Sequence, residues 1–234
     1  MYKIAVAQWR KIENESMQVI SGGFVNEKIY FEAPSSDKID SEIKKFLDYL
    51  NYNNANDLLI KTAVIHLWFL TIHPFEDGNG RIARIISEYL LSKSDNSSLR
   101  FYSLSTQIEK DKKNYYLLLE QSQKGNLDIS NWIFWFLDSL QKSILQSEEI
   151  IAKTLAKATF WKKNSQTILN IRQAKMLNLV WDNFEGNLTT KKWAIINKCS
   201  NESALRDIND LIDKDVLFKE DKGSRSSSYG LIIK

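Results

Sequence analysis

The chain has one cysteine, two histidines and no long uncharged apolar run, and each scarcity excludes a class of protein. Cys199 alone cannot form an intramolecular disulfide, and no set of cysteines and histidines has zinc-ligand spacing. With only His66 and His73 available, a histidine-based metal site is disfavoured. No stretch of about 18 apolar residues could span a membrane, and the first residues lack a basic-then-apolar signal pattern. We therefore expect a cytoplasmic protein with no membrane partner.

The composition is that of a folded globular protein. Apolar residues make up 43% and charged residues 26% of the 234 residues. This length is enough for one substantial core and a small additional domain. The formal net charge of +3 is too small to indicate nucleic-acid binding by itself.

Residues 73–84 are the most informative segment and read HPFEDGNGRIAR. The preceding residues 57–72 are apolar on nearly every face, which predicts a buried central helix. Pro74 disfavours helical backbone at His73, so this helix should end near Ile72. Apolar residues then recur at helical spacing, which predicts a second helix starting near Gly80 or Arg81.

The bend between these two predicted helices has the chemistry of a phosphate site. Gly78 and Gly80 permit a tight turn and a close approach of backbone to a ligand. The first N–H groups of the second helix suit an anion, and Arg81 and Arg84 add forked donors for phosphate oxygens. Taken singly, the histidine could be a helix cap, the glycines an ordinary turn and the arginines a solvated helix face. Their combination in one short segment favours the phosphate site.

The spacing HPFx[DE]GNGRxxR resembles the signature of the Fic (filamentation-induced-by-cAMP) family. Weaker similarity runs through residues 17–22, 30–34, 66–69, 101–105, 115–120 and 128–132. The resemblance implies a bacterial protein of mainly α fold, in which a Fic helical bundle with a β-hairpin flap is followed by a winged helix-turn-helix domain. We expect the Fic core in residues 1–163, the flap at about 17–33, and the winged helix in 165–234.

The resemblance also implies an activity and its residues. Most Fic enzymes transfer AMP from ATP to a Ser, Thr or Tyr hydroxyl of a target protein, with release of pyrophosphate. His73 would be the general base, and Asp77 would hold Mg²⁺ between the α- and β-phosphates. The nucleotide would further be bound by Gly78, Asn79 and Gly80 in the anion hole, by Arg81 and Arg84 on the phosphates, by Tyr115 and Tyr116 beside the nucleobase, and by Ser21 and Gly22 of the flap.

Several of these residues also have a structural interpretation. Tyr115 and Tyr116 could simply pack in the core, as aromatic residues on helices often do. His66 lies inside the predicted buried helix, so we expect it to be a hydrogen-bonded core residue and not a catalyst.

Three functional hypotheses follow. Protein adenylylation is favoured. Another Fic chemistry, such as uridylyl or phosphocholine transfer, is an alternative, whereas the kinase activity of the Doc branch is disfavoured because Gly78 and Arg81 are intact. The third is a nucleotide-sensing regulator that binds DNA or protein through the winged helix.

The last part of the chain predicts three helices, at about 168–184, 189–199 and 204–217, followed by a two-stranded wing in 218–233. The third helix could enter the major groove of DNA. We expect its exposed face to carry Asp207, Asp210 and Asp213 against Arg206 and Lys214, a balance that phosphates would not favour. Protein–protein contact or target recruitment is therefore the preferred use.

The sequence is compatible with two modes of regulation. The inhibitory motif of many Fic proteins, [ST]xxxE[GN], has no match in the chain. Arg84 therefore lacks an inhibitory glutamate of that kind, and a separate inhibitory protein or an unregulated enzyme are both possible. A homodimer is also possible, since Fic domains often self-associate.

Overall fold

The computed structural model describes residues 8–11, 17–21, 28–52, 57–96, 100–182, 184–220 and 227–233. The fold is mostly helical, as predicted. The elements, in chain order, are β1 (Gln18–Ser21), β2 (Lys28–Glu32), α1 (Ile39–Asn51), α2 (Leu58–Ile72), α3 (Asn79–Ser94), α4 (Leu104–Lys110), α5 (Lys112–Lys124), α6 (Ser130–Lys163), α7 (Ile171–Asp182), β3 (Leu188–Thr189), α8 (Thr190–Asn197), α9 (Asn201–Asp213), β4 (Leu217–Glu220) and β5 (Ser228–Leu231). None of the helices in these residues is long and apolar enough to cross a membrane.

The chain folds as two compact units, residues 1–148 and 149–234. From the sequence we expected the domain boundary between residues 163 and 165. The division between the two units falls earlier, within α6. Trp132 and Phe136 in the first half of α6 belong to the core of the first unit. Phe160 near its end packs on Trp181, with ring centroids 5.6 Å apart, and belongs to the core of the second unit. Because the helix is continuous, sequence periodicity could not locate the change of core.

Helix α2 is the centre of the first unit, which confirms the prediction from its all-round apolar sequence. Its buried residues include Ala63, Ile65 and Phe69. Even its lysine is buried, because Lys61 Nζ donates to Leu50 O at 3.0 Å and to Tyr52 O at 2.7 Å. These carbonyls lie at the end of α1, where a helix lacks internal donors, so the buried cation has polar partners.

The hairpin predicted at about 17–33 is formed by β1 and β2. The two strands are antiparallel, with Gln18 opposite Glu32 and Ser21 opposite Lys28, and the register shifts between Val19 and Ile20. Ala33 N donates to Met17 O at 2.8 Å and closes the base of the hairpin. The side chain of Ser21 and all of Gly22, which were predicted to lie nearest the nucleotide, fall outside the described residues.

The second unit combines helices α7 to α9 with a small sheet of strand order β3, β5, β4. Its third helix begins at Asn201 and ends at Asp213, earlier at both ends than the predicted 204–217. The Oγ of Ser200 caps it by accepting from Ser203 N at 3.2 Å, and Leu217 instead begins β4. The assignment of this unit as a winged helix-turn-helix stays a prediction.

Candidate nucleotide site

The motif occupies the junction of α2 and α3. Helix α2 ends at Ile72, as predicted, and His73 is its C-cap with φ 49° and ψ 56°. This is the left-handed region, which a residue other than glycine adopts at a cost of about 1 kcal/mol. His73 N still donates to Phe69 O at 3.0 Å, so the chain leaves the helix only after the histidine amide. His73 therefore lies at the end of a buried helix.

The surroundings of the His73 imidazole indicate which ring nitrogen carries the proton. Nδ1 lies 3.4 Å from Leu70 O. Because a carbonyl can only accept, the proton of the neutral ring belongs on Nδ1, and Nε2 keeps its lone pair. Burial lowers the pKa of His73, and the positive charge of Arg10 lowers it further, while the Leu70 carbonyl acts in the opposite direction. The neutral form, which can accept a proton, is thereby favoured.

The bend between the helices is held by Asn79. Its Nδ2 donates to Phe75 O at 2.7 Å, and its Oδ1 accepts from Phe75 N at 3.0 Å. Asn79 is buried, so its side chain stabilises the loop. Its predicted contribution to an anion hole could therefore come only from its backbone N–H.

Gly78 is the N-cap of α3 and has φ 89°, a left-handed conformation that glycine adopts without strain. It brings no side chain to cap the helix. Ile82 N donates to Gly78 O at 3.0 Å, which leaves the first N–H groups of α3 without acceptors inside the helix. An anion is the natural acceptor at such an end, because the helix dipole places partial positive charge there.

The two arginines of the motif lie against its two glycines. A Cβ at Gly78 would be 3.6 Å from Arg81 Nη2, and one at Gly80 would be 3.5 Å from Arg84 Nη1. The two guanidinium charges thus lie beside the N-terminus of α3. Because both positions are glycine, no side chain from them fills the space next to the guanidiniums.

The two arginines differ in their ion pairs. Arg81 Nη2 donates to Asp77 Oδ2 at 2.9 Å, and both side chains are largely exposed. Asp77 Oδ1 also accepts from Gly78 N at 2.6 Å. For Arg84, no carboxylate forms an ion pair within the described ranges. The junction of α2 and α3 therefore carries an imidazole, one exposed carboxylate, an open helix end and two guanidiniums.

Tyr115 and Tyr116 are placed differently, although they are adjacent. Tyr115 is only 3% exposed, and its hydroxyl lies 3.1 Å from His66 Nε2. Burial raises the pKa of Tyr115. Its predicted contact with a nucleobase is not supported, because the side chain has no surface to offer. Tyr116 is 49% exposed and keeps that possibility.

His66 is a core residue, as predicted. It is fully buried and belongs to a chain of hydrogen bonds between three helices. Ser87 Oγ donates to Ala83 O at 2.8 Å, so it accepts from His66 Nδ1 at 2.8 Å, and His66 Nε2 accepts from the hydroxyl of Tyr115. Burial lowers the pKa of His66 to about 3, and the charge of Arg84 contributes to that shift.

A further arginine contacts the motif and was not predicted. Arg10 Nε donates to His73 O at 2.8 Å, and Arg10 N donates to Pro74 O at 2.9 Å. Nothing in the local sequence marks this residue, because these two partners lie 63 and 64 positions away. Only the folded chain reveals the contact.

The aspartates of α9 correct one expectation. Asp207, predicted to be exposed, is only 5% exposed and accepts from Arg172 Nε at 2.6 Å and from Asn170 Nδ2 at 2.8 Å. These hydrogen bonds compensate for its burial and hold its pKa below the usual range. The exposed charged residues of α9 are Glu202, Arg206 and Asp213. The exposed face of this helix is therefore not basic.

Comparison with known proteins gives a family match and a similar fold. Residues 3–91 match the family model described as Fic/DOC family. The matched segment includes the motif of residues 73–84. Along 97% of its length it also aligns with 63% of a crystal structure of a Fic family protein from Desulfovibrio desulfuricans G20, with a TM-score of 0.50 and 19% identity. That similarity concerns the fold alone.

Two curated relatives are named adenylyltransferases. The chain is 25% identical over 95 residues to a protein of Aquifex aeolicus (strain VF5) named probable protein adenylyltransferase aq_aa38. It is 27% identical over 90 residues to protein adenylyltransferase fic-1 of Caenorhabditis elegans. These matches cover 41% and 36% of this chain, but only 27% and 18% of the relatives. The chain therefore spans less than a third of the length of either relative.

Proposed function

We propose that this protein is a protein adenylyltransferase, which transfers AMP from ATP to a Ser, Thr or Tyr hydroxyl of a target protein. One observation carries the proposal: His73, whose pKa is lowered by burial, ends α2 at the bend where α3 begins with an open N-terminus and the guanidiniums of Arg81 and Arg84, and these groups suit phosphates. The names of the curated relatives support the choice of nucleotide and reaction.

The reaction needs one proton transfer and one displacement at phosphorus. The target oxygen forms a bond to the α-phosphorus, and the bond from that phosphorus to the bridging oxygen of pyrophosphate breaks. The hydroxyl proton goes to Nε2 of His73, which is the free nitrogen because Nδ1–H faces Leu70 O. The guanidiniums and the first N–H groups of α3 stabilise the negative charge on the phosphates.

Asp77 is suited to hold Mg²⁺. No group of three or more His, Cys, Asp or Glu side chains capable of holding a metal occurs in the described part of the chain. Mg²⁺ is commonly bound by one or two carboxylates together with substrate phosphates, so one exposed carboxylate beside the phosphate seat is a fitting donor set. Bound there, the ion would neutralise phosphate charge. Asp77 would exchange its contact with Arg81 for the metal, and the released guanidinium would bind phosphate.

The target protein is expected at the hairpin. A β-hairpin of two strands has a free edge, to which an extended peptide can add as a further strand. Main-chain hydrogen bonds would then hold a target hydroxyl near His73. Arg84, which has no carboxylate partner in the described residues, would be open to ATP and also to a separate inhibitory protein.

For the second unit we propose a winged helix-turn-helix that recruits protein targets. The helices and sheet order are compatible with this assignment. The mixed charges on the exposed face of α9 favour a protein partner over DNA.

The test is labelling of a bacterial lysate with nucleotides that carry the label on the α-phosphate, followed by mass spectrometry. We expect label from ATP on protein hydroxyls with the wild-type chain and none with His73→Ala. Arg84→Gln should weaken labelling by about 10-fold or more, since it removes charge-assisted hydrogen bonds worth roughly 1.5–3 kcal/mol. Lys142→Gln, which removes an exposed positive charge paired with Asp138 on α6, is the matched control and should label normally.

Other outcomes would contradict the proposal. Label from UTP in place of ATP would indicate uridylyl transfer, and a phosphocholine adduct would indicate that chemistry. Binding of ATP without any protein modification would favour a regulator that senses nucleotide.

A further inference from the structure

Arg10 is a buried arginine whose acceptors in the described residues are backbone carbonyls. It is 1% exposed. Its Nε donates to His73 O at 2.8 Å, and Nη2 donates to Pro34 O and lies 3.4 Å from Ile72 O. Its own N–H donates to Pro74 O at 2.9 Å. One side chain thus joins two segments that are far apart in sequence.

The first of these segments is the end of α2. The carbonyls of Ile72 and His73 have no donors from their own helix, and the helix dipole places partial negative charge there. A cation with forked donors is a suitable cap. Because His73 adopts the left-handed region, its carbonyl and ring directions depend on how this peptide is held. The Nε of Arg10 holds the carbonyl directly.

The second segment is the base of the hairpin. Pro34 follows β2, and the neighbouring Ala33 closes the base of the hairpin through Met17. The hydrogen bond from Arg10 to Pro34 O therefore connects the strands to the motif. In the proposed reaction the hairpin would present the target hydroxyl and His73 would receive its proton, so their relative position matters.

We propose that Arg10 is a positioning residue that fixes the base of the hairpin relative to the backbone of His73. This rests on the proposed function, because only a transfer reaction between hairpin and imidazole requires such alignment. The positive charge of Arg10 also disfavours protonation of His73, in the direction that a base requires.

The test compares Arg10→Met and Arg10→Lys with Arg100→Met. Arg100 is the matched control, because it is also largely buried. Its ion pairs are with Glu88 and Asp95, which lie outside the motif of residues 73–84. The readout is the labelling rate of a bacterial lysate with α-labelled ATP over a range of ATP concentrations. Misplacement of reacting groups by about 1 Å can cost about 100-fold in rate. We expect the maximal rate of Arg10→Met to fall about 10- to 100-fold, with the half-saturating ATP concentration changed less than about threefold.

The variants separate alignment from stability. Arg10→Lys keeps a charge and donors, so it should recover part of the rate, whereas Arg100→Met should keep the wild-type rate. Equal rates for Arg10→Met and the wild type would overturn the proposal, and so would an equal loss in Arg100→Met. Absence of labelling by the wild-type chain is a different result, because it removes the proposed function itself.

Amide hydrogen exchange gives a readout that does not depend on activity. In Arg10→Met, peptides covering residues 28–34 and 72–78 should both exchange faster, because both lose the side chain that ties them. In Arg100→Met the increase should be confined to residues near 88–100. If residues 72–78 and 28–34 kept wild-type exchange in Arg10→Met, the tie would be refuted whatever the activity.

Discussion

The interior of α2 and its C-terminal end each carry one of the two histidines, and they differ in the features that decide reactivity. In the interior, both nitrogens of His66 are occupied, by Ser87 and Tyr115. At the end, His73 has one nitrogen facing Leu70 O, and in the described part of the chain no group is hydrogen-bonded to the other. Burial lowers the pKa of both rings, to about 3 for His66. A neutral imidazole is therefore insufficient for catalysis, since it must also have an unoccupied lone pair beside the substrate.

The largest expected effect is on the reaction and concerns only the helix end. His73→Asn should lower the rate of AMP transfer by about 10²- to 10⁴-fold, the range for loss of a general base. Asparagine tolerates the left-handed region, so the free energy of unfolding should change by about 0.5 kcal/mol or less. Labelling kinetics and urea unfolding of the same preparations check this. A large loss of stability would mean that His73 is structural, like His66.

The second effect is on stability and concerns the helix interior. His66→Ala should lower the free energy of unfolding of the first unit by about 3 kcal/mol, because it creates a cavity, leaves the buried hydroxyl of Tyr115 without its acceptor and leaves Ser87 Oγ without its donor. Urea unfolding at pH 7 measures it. Unchanged stability would show that the hydrogen-bond chain contributes nothing.

The third effect is a dependence on pH. The folded-state pKa of His66 is about 3, below its value in the unfolded chain of about 6.5. Below about pH 6.5 the unfolded chain binds a proton at His66 that the folded chain does not bind. The free energy of unfolding therefore decreases as the pH is lowered from about 6.5. Relative to His66→Gln, the wild type should lose about 2 kcal/mol of stability between pH 7 and pH 5. Parallel stability curves for the two proteins would contradict the assignment.

The smallest effect separates the two tyrosines. Tyr115→Phe removes the hydroxyl bonded to His66 and should cost about 1 kcal/mol of stability while ATP binding is unchanged. Tyr116→Ala should do the reverse, with weaker ATP binding and nearly wild-type stability. Calorimetric titration with ATP and thermal unfolding distinguish the pair. Weaker ATP binding in Tyr115→Phe would restore Tyr115 to the nucleotide site.

The sequence predicted the helix ends around the motif because local effects set them. Pro74 and the apolar run before it placed the end of α2 at Ile72, and the glycines placed the bend. The side-chain partners were not predictable in the same way. Asn79 binding Phe75, Asp207 binding Arg172 and the burial of Tyr115 each depend on which residues the fold brings together.

What the sequence determined by itself is the chemistry of the bend, since the residue types and spacing of 73–84 fix its donors, its glycines and its helix ends. What only the tertiary structure decided is which of those groups are free to act. Arg10 reaches His73 across 63 positions, and Tyr115 is taken into the core while Tyr116 is not. The physical reason is that hydrogen bonding and burial depend on distances in space, whereas periodicity and turn preferences report only on neighbours along the chain.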